Sequence, residues 1–301
     1  MPSRLDFRIY QLLPFLLFLV IPLHAQLQIE RIASVNFQVH DLAKARSFYT
    51  GILGLPEAFD LKDAHGDVSA AFFKINDDQY LEFSLASDGP DFLWVNAAFL
   101  THDLNGLSRE LQKLGLSPGR ATVGADGNPR VQVKDPMGNT LEFVQYRKGS
   151  QQVAHRGSDS ATVKLSNHLL HVGFAEDDEA AALAFYQDKL GFHEFLRGGP
   201  VVDHAYWLNM HMPVPSDDYI ELMIHAADPA SRRDHICFEV PDIHKAYDLL
   251  VSRGMAGNFK PFVAQNHRWI INLRDSYGVR VEIMGEVTAD PLAHPAQSKP
   301  N

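Results

Sequence analysis

Short apolar runs alternate with amphipathic stretches of helical length along most of the chain. Ile32 to Val39 has the apolar density of a strand, and Asp41 follows as N-cap of a helix. The apolar positions of that helix, Leu42, Ala45, Phe48, Tyr49 and Leu53, fall at helical spacing until Gly54 ends it. Two further strands, Ser69 to Ile75 and Tyr80 to Leu85, flank the turn-rich Asn76-Asp77-Asp78, and there is room for one more strand in the unit. The pattern restarts at Trp94 to Leu100. A helix led by Asp103 then presents Leu104, Leu107, Leu111 and Leu114 on one face and stops at Gly115. Arg130 to Lys134 and Thr140 to Gln145 are strands around the turn Asp135-Pro136-Met137-Gly138-Asn139.

The second half repeats the first. Phe48-Tyr49 and Leu53-Gly54 recur as Phe185-Tyr186 and Leu190-Gly191, an offset of 137 residues. Asp103 and Gly115 recur as Asp242 and Gly254 at an offset of 139, and the Asp135 turn recurs as Asp275-Ser276-Tyr277-Gly278 at 140. So constant an offset predicts two similar domains, at 30–147 and 167–287. The polar stretch 148–166, rich in Gly, Ser and Gln, reads as the linker between them, and 288–301 as a loose tail.

Composition adds bounds. At 301 residues and 46% hydrophobic the chain can bury a substantial core. A net charge of −10, with no basic cluster beyond the start, argues against a nucleic-acid partner. The one cysteine, Cys237, lies in an apolar strand, which excludes an intrachain disulfide and favours a small buried hydrophobe. Arg4 and Arg8, the apolar run Leu12 to Leu23 and the small Ala25 form the three-part pattern of a signal peptide over residues 1–25. The expected location is therefore periplasmic or secreted. No later stretch is long and apolar enough to span a membrane.

Four potential metal ligands lie in the second domain. His171 sits in Leu169-Leu170-His171-Val172-Gly173-Phe174, and Glu221 in Tyr219-Ile220-Glu221-Leu222-Met223-Ile224. His235 opens His235-Ile236-Cys237-Phe238-Glu239-Val240, and Glu282 lies in Val279-Arg280-Val281-Glu282-Ile283-Met284. Each is on its own strand, and a carboxylate inside an apolar strand is costly unless something pairs with it. Imidazole and carboxylate together suit a divalent transition metal, Fe, Zn, Ni or Mn. His204, His211, His225 and His267 are further candidates for the pocket wall, as are Tyr219 and Trp207.

His171-Val172-Gly173-Phe174, Ala184-Phe185-Tyr186, Lys189-Leu190-Gly191-Phe192 and the closing Asp275, Gly278 and Glu282 together resemble the vicinal oxygen chelate superfamily. Its members include glyoxalase I, extradiol dioxygenases and the bleomycin- and fosfomycin-resistance proteins. The resemblance implies an α+β fold of tandem βαβββ units, in two domains that each curl into an open, incomplete β-barrel. It also implies metal ligands at His171, Glu221, His235 and Glu282, one of the two glutamates leaving the metal to act as base. In the first domain Ser34 and Asn96 stand at the two His positions while Glu82 and Glu142 remain, which predicts no metal there. For activity the resemblance implies a glyoxalase-like lyase or isomerase acting on a small oxygen-rich molecule. An Fe(II) extradiol dioxygenase using His171, His235 and Glu282, or a metal-free binding module, are the alternatives. Against the dioxygenase stands Asn272, where that group carries a Tyr.

Overall fold

The computed structural model of the chain describes residues 26–158, 163–199, 205–224 and 234–288, so residues 1–25, read above as a signal peptide, and nearly all of the tail lie outside it. The first half runs β1 (Arg31–Val39), α1 (Leu42–Ala45) continuing as a π-helix (Arg46–Ile52), β2 (Glu57–Lys62), β3 (Val68–Lys74) and β4 (Tyr80–Leu85). Its second unit is β5 (Phe92–Leu100), α2 (Leu104–Lys113), β6 (Thr122–Val123), β7 (Pro129–Lys134) and β8 (Thr140–Val144). After a short helix α3 (Gln151–Ala154) the order repeats. The third unit is β9 (Leu169–Glu176), α4 (Glu179–Leu183) with its π-helix (Ala184–Lys189), β10 (His193–Gly198), β11 (Trp207–His211) and β12 (Tyr219–Ile224). The fourth is β13 (His235–Val240), α5 (Ile243–Ser252), β14 (Phe262–Val263), β15 (Arg268–Arg274) and β16 (Arg280–Thr288).

These strands form two curled eight-stranded sheets, ordered β2-β3-β4-β1-β5-β8-β7-β6 and β10-β11-β12-β9-β13-β16-β15-β14. Within each unit the last strand returns parallel to the first, as in β1/β4 and β12/β9. The first strands of the paired units meet antiparallel at the sheet centre, β1 with β5 and β9 with β13. A parallel return needs a crossover, and the helix supplies it. Each crossover helix starts where an aspartate accepts a backbone N–H: Asp41 from Ala43, Asp103 from Gly106, Asp178 from Ala181 and Asp242 from His244. The one further strand for which the first unit has room is β2, between Gly54 and Ser69.

Strand alternation divides each sheet into two faces. Val172, Phe174, Ile236, Phe238, Val281 and Ile283 belong to a large apolar core that also takes in Phe37, Tyr49, Phe83 and Phe99 of the first half. The opposite face of the second sheet carries a smaller cluster of Leu170, Tyr219, Cys237, Phe262, Ile270 and Met284 beside the candidate site.

The halves are joined reciprocally. The Tyr49 hydroxyl donates to Asp275 at 2.8 Å, and the Tyr186 hydroxyl donates to Asp135 at 2.8 Å. The π-helix of each half thus fastens the turn before the last strand of the other. Gln79, fully buried, accepts from Leu169 N at 2.8 Å and donates to Leu169 O at 2.9 Å, which docks one half on the backbone of the other. The polar stretch after Arg147 is itself partly structured. Gln152 of α3 is buried against Asn128 and Asp126, and Lys74 Nζ donates to the carbonyls of His155 and Ser158.

Candidate metal centre

The register of four adjacent strands, β12, β9, β13 and β16, builds the centre in two rows. The first row reads Glu221, Gly173, His235, Arg280. The second reads Tyr219, His171, Cys237, Glu282, and β15 extends it with Asn272. Alternation places both rows on one face, with Val172, Ile236 and Val281 between them turned to the core. His171 and His235 are fully buried, Glu282 is 1% exposed and Glu221 7%.

The side chains converge. His171 Nε2 lies 3.1 Å from His235 Nε2 and 3.5 Å from Glu282 Oε2. Glu221 is 3.8 Å from each imidazole, through Oε2 to His171 and Oε1 to His235. One ligand atom from each of the four falls within 4.8 Å of every other. Bonds of about 2.0–2.2 Å to a single ion would hold adjacent ligand atoms about 3.0–3.6 Å apart, so the donor set fits a transition metal in chemistry and nearly in spacing. Two glutamates in so dry a place need positive charge beside them, of which the protein supplies the guanidinium of Arg280.

Gly173 makes the convergence possible. A Cβ built on it would stand 2.0 Å from two atoms of the His235 ring. Only the absent side chain lets that imidazole lie across β9 towards His171. Tyr219 supports His171 from the other side, its ring 4.7 Å away and tilted by 35°. Burial pushes the Tyr219 hydroxyl and the Cys237 thiol well above their ordinary values, so Cys237 is a wall of the site and no nucleophile.

Arg280 is the residue that sequence reasoning missed. Its Nη2 lies 2.7 Å from His235 Nε2, 3.1 Å from Glu282 Oε1 and 3.6 Å from Glu221 Oε1. The signal was present in Val279-Arg280-Val281-Glu282-Ile283, where a period of two sets Arg280 on the face of Glu282.

Of the remaining candidates, Trp207 is half-buried on the strand next to Glu221, and Asn209 of that strand faces Glu221 directly. His211 is exposed, stacked on Phe195 at 3.9 Å, and desolvation lowers its pKa. His267 sits exposed in the β14–β15 turn with φ of 59°. His204 and His225 lie outside the described residues.

The first half shows the same rows with other residues: Glu82, Asn36 and Asn96, then Tyr80, Ser34, Ala98, Glu142 and Gln132. Asn36 stands where Gly173 leaves room, and a protein cation takes the centre. Arg130 lies 3.2 Å from Glu142 and 2.5 Å from Asp126, and Gln132 donates to Glu142 at 2.7 Å. Burial raises the Glu82 carboxyl to about 8, so it is largely protonated at neutral pH.

Fold and site together define a tandem vicinal oxygen chelate protein, and comparison agrees. The chain belongs to the glyoxalase/bleomycin resistance protein/dioxygenase superfamily, whose model matches residues 31–143 and 168–283. Among solved structures it is similar to the 2,3-dioxygenase LapB from Pseudomonas sp. KL28, at 19% identity and a TM-score of 0.68, over 90% of this chain and 97% of that one. It is also similar to a His-to-Glu variant of homoprotocatechuate 2,3-dioxygenase from Brevibacterium fuscum in complex with HPCA, at 20% identity and a TM-score of 0.67, over 88% of this chain and 73% of that one. At such identity the likeness is one of fold. No curated protein matches by sequence. Among the described residues no helix is long and apolar enough to cross a membrane.

Proposed function

We propose that the chain is a metal-dependent enzyme of glyoxalase-like lyase or isomerase type, moving a proton on a small molecule with two neighbouring oxygens. The observation that carries this reading is the inclusion of both Glu221 and Glu282 with His171 and His235 in one buried cluster. A divalent ion held there supplies Lewis-acid polarisation of those oxygens. Glu282, between Arg280 and His171 and the less exposed of the two, serves as anchor. Glu221 is the more exposed carboxylate and the farther from His171, which suits it to take the proton. Asn209 and Asn272, whose buried Oδ1 atoms have no hydrogen-bond partner among the described residues, flank the two glutamates and present polar groups to whatever enters.

Extradiol ring cleavage is the second reading, favoured by the fold of LapB and by His171, His235 and Glu282 as a two-His, one-carboxylate set. Glu221 counts against it, because as a fourth protein ligand it would fill a position that ring cleavage needs for catechol or oxygen. The test is to supply the purified chain with Ni(II), Zn(II) or Mn(II) and α-hydroxycarbonyl or hemithioacetal compounds. In parallel, anaerobically Fe(II)-loaded chain is mixed with catechols and exposed to air. Turnover in the first assay supports the proposal. Rapid oxygen uptake with a yellow product in the second replaces it. We also propose that the first half holds no metal and that residues 1–25 direct export. N-terminal sequencing of the protein from its host tests the latter, and Met1 at the mature N-terminus would refute it.

A further inference from the structure

We propose that Arg280 is the anion-recognition residue of this centre, so that one of the substrate's two chelating oxygens belongs to a carboxylate, as in a 2-oxo or 2-hydroxy acid. The inference rests on the metal reading above and deepens it.

Charge is the first argument. Two ionised glutamates and two neutral imidazoles around a divalent ion sum to zero, a poor attractor for an anion. The Arg280 guanidinium restores one positive charge at the same point. Position is the second. Arg280 precedes Glu282 by two residues on the same strand face, and its Nη2 reaches His235, Glu282 and Glu221. A group gripped there adjoins the metal.

The unmet donor of the guanidinium is the third argument. Its Nε is buried and has no hydrogen-bond partner among the described residues, although the side chain as a whole is only 10% exposed. The Nε and Nη2 donors form the fork that takes a carboxylate through two parallel hydrogen bonds. An ion held by His171 and His235 would set like charge beside the guanidinium. An anion beside Arg280 would satisfy Nε, a donor that is costly to leave unmade. The first half lacks the arrangement, with Thr140 two residues before Glu142 in place of Arg280 before Glu282.

The test is calorimetric titration of the Zn(II)-loaded chain with oxalate, a carboxylate chelator, and with acetohydroxamate, which chelates through two vicinal oxygens without a carboxylate. The wild type should bind both. Arg280→Gln should keep its zinc and lose at least about tenfold in oxalate affinity, with acetohydroxamate changed by less than about threefold, and Arg280→Lys should fall between. Oxalate affinity indifferent to Arg280, or both chelators weakened equally, overturns the proposal. So does loss of zinc from Arg280→Gln with circular dichroism unchanged, since Arg280 would then hold the cluster together. A wild-type chain that takes up no zinc overturns the metal reading itself, a distinguishable failure.

Discussion

Gly173 is the residue on which the smallest change should have the largest effect. A methyl group there occupies the space of the His235 ring, so Gly173→Ala should leave the secondary structure intact and cut metal affinity by about tenfold to a hundredfold, the size of loss seen when a ligand's orientation is disturbed. Competition with a chromophoric chelator measures it; wild-type affinity would show that the imidazole reaches the metal by another path. Glu221→Gln probes the assigned base. It should retain most of the metal while turnover falls by about 10²- to 10⁴-fold, the range of a lost general base. Undiminished turnover would give that role to Glu282.

At the scale of elements the strand rows do the positioning, and a latch beside them should respond to pH. His168, just ahead of β9, donates from one ring nitrogen to Asp218 and from the other to Glu239, both at 2.9 Å, while Asp218 also accepts from Ile32 N and Gln79 of the first half. Burial opposes its charge, but the two carboxylates win and raise its pKa from 6.5 to about 9. A histidine raised by folding contributes stability that is full below 6.5 and is lost as pH rises through about 9. Glu82 and Glu176, raised by burial to about 8 and about 9, also bind more protons folded than unfolded and so act in the same direction. The melting temperature should therefore fall between pH 6.5 and 9.5. His168→Gln should cost about 1–3 kcal/mol at pH 7 and flatten part of that slope; an unchanged slope would remove the latch from the account.

The strands, helix caps and repeat were legible because they rest on local signals: apolar runs, Asp before a helix, Gly after it. The four clustered residues were legible because a polar residue in an apolar strand needs a partner. Arg280 was hidden behind its ordinary place next to Val279, although alternation fixed its face. Gly173 carried no chemistry to notice until the register set it against His235. The crossing of Tyr49 to Asp275 was out of reach, because the repeat shows that Tyr49 resembles Tyr186 but not that each serves the other half.

On the scale of the whole molecule that crossing makes one body of two copies. The main apolar core runs through both, and the Tyr–Asp bonds are buried. Tyr49→Phe leaves Asp275 without one partner and should lower global stability by about 1–3 kcal/mol, read by denaturant unfolding. Residues 167–287 alone would expose the apolar side that now meets the first half. They should unfold at lower denaturant than the full chain; equal stability would mean tandem beads. The first half, with Arg130 among its carboxylates, supplies this support.

Metal stoichiometry tests the central claim most directly. Elemental analysis of the purified, dialysed chain should find one divalent transition metal per molecule, and none in the His171→Ala, His235→Ala double variant whose circular dichroism is unchanged. Two metals per chain, or a full complement surviving in the double variant, would contradict it.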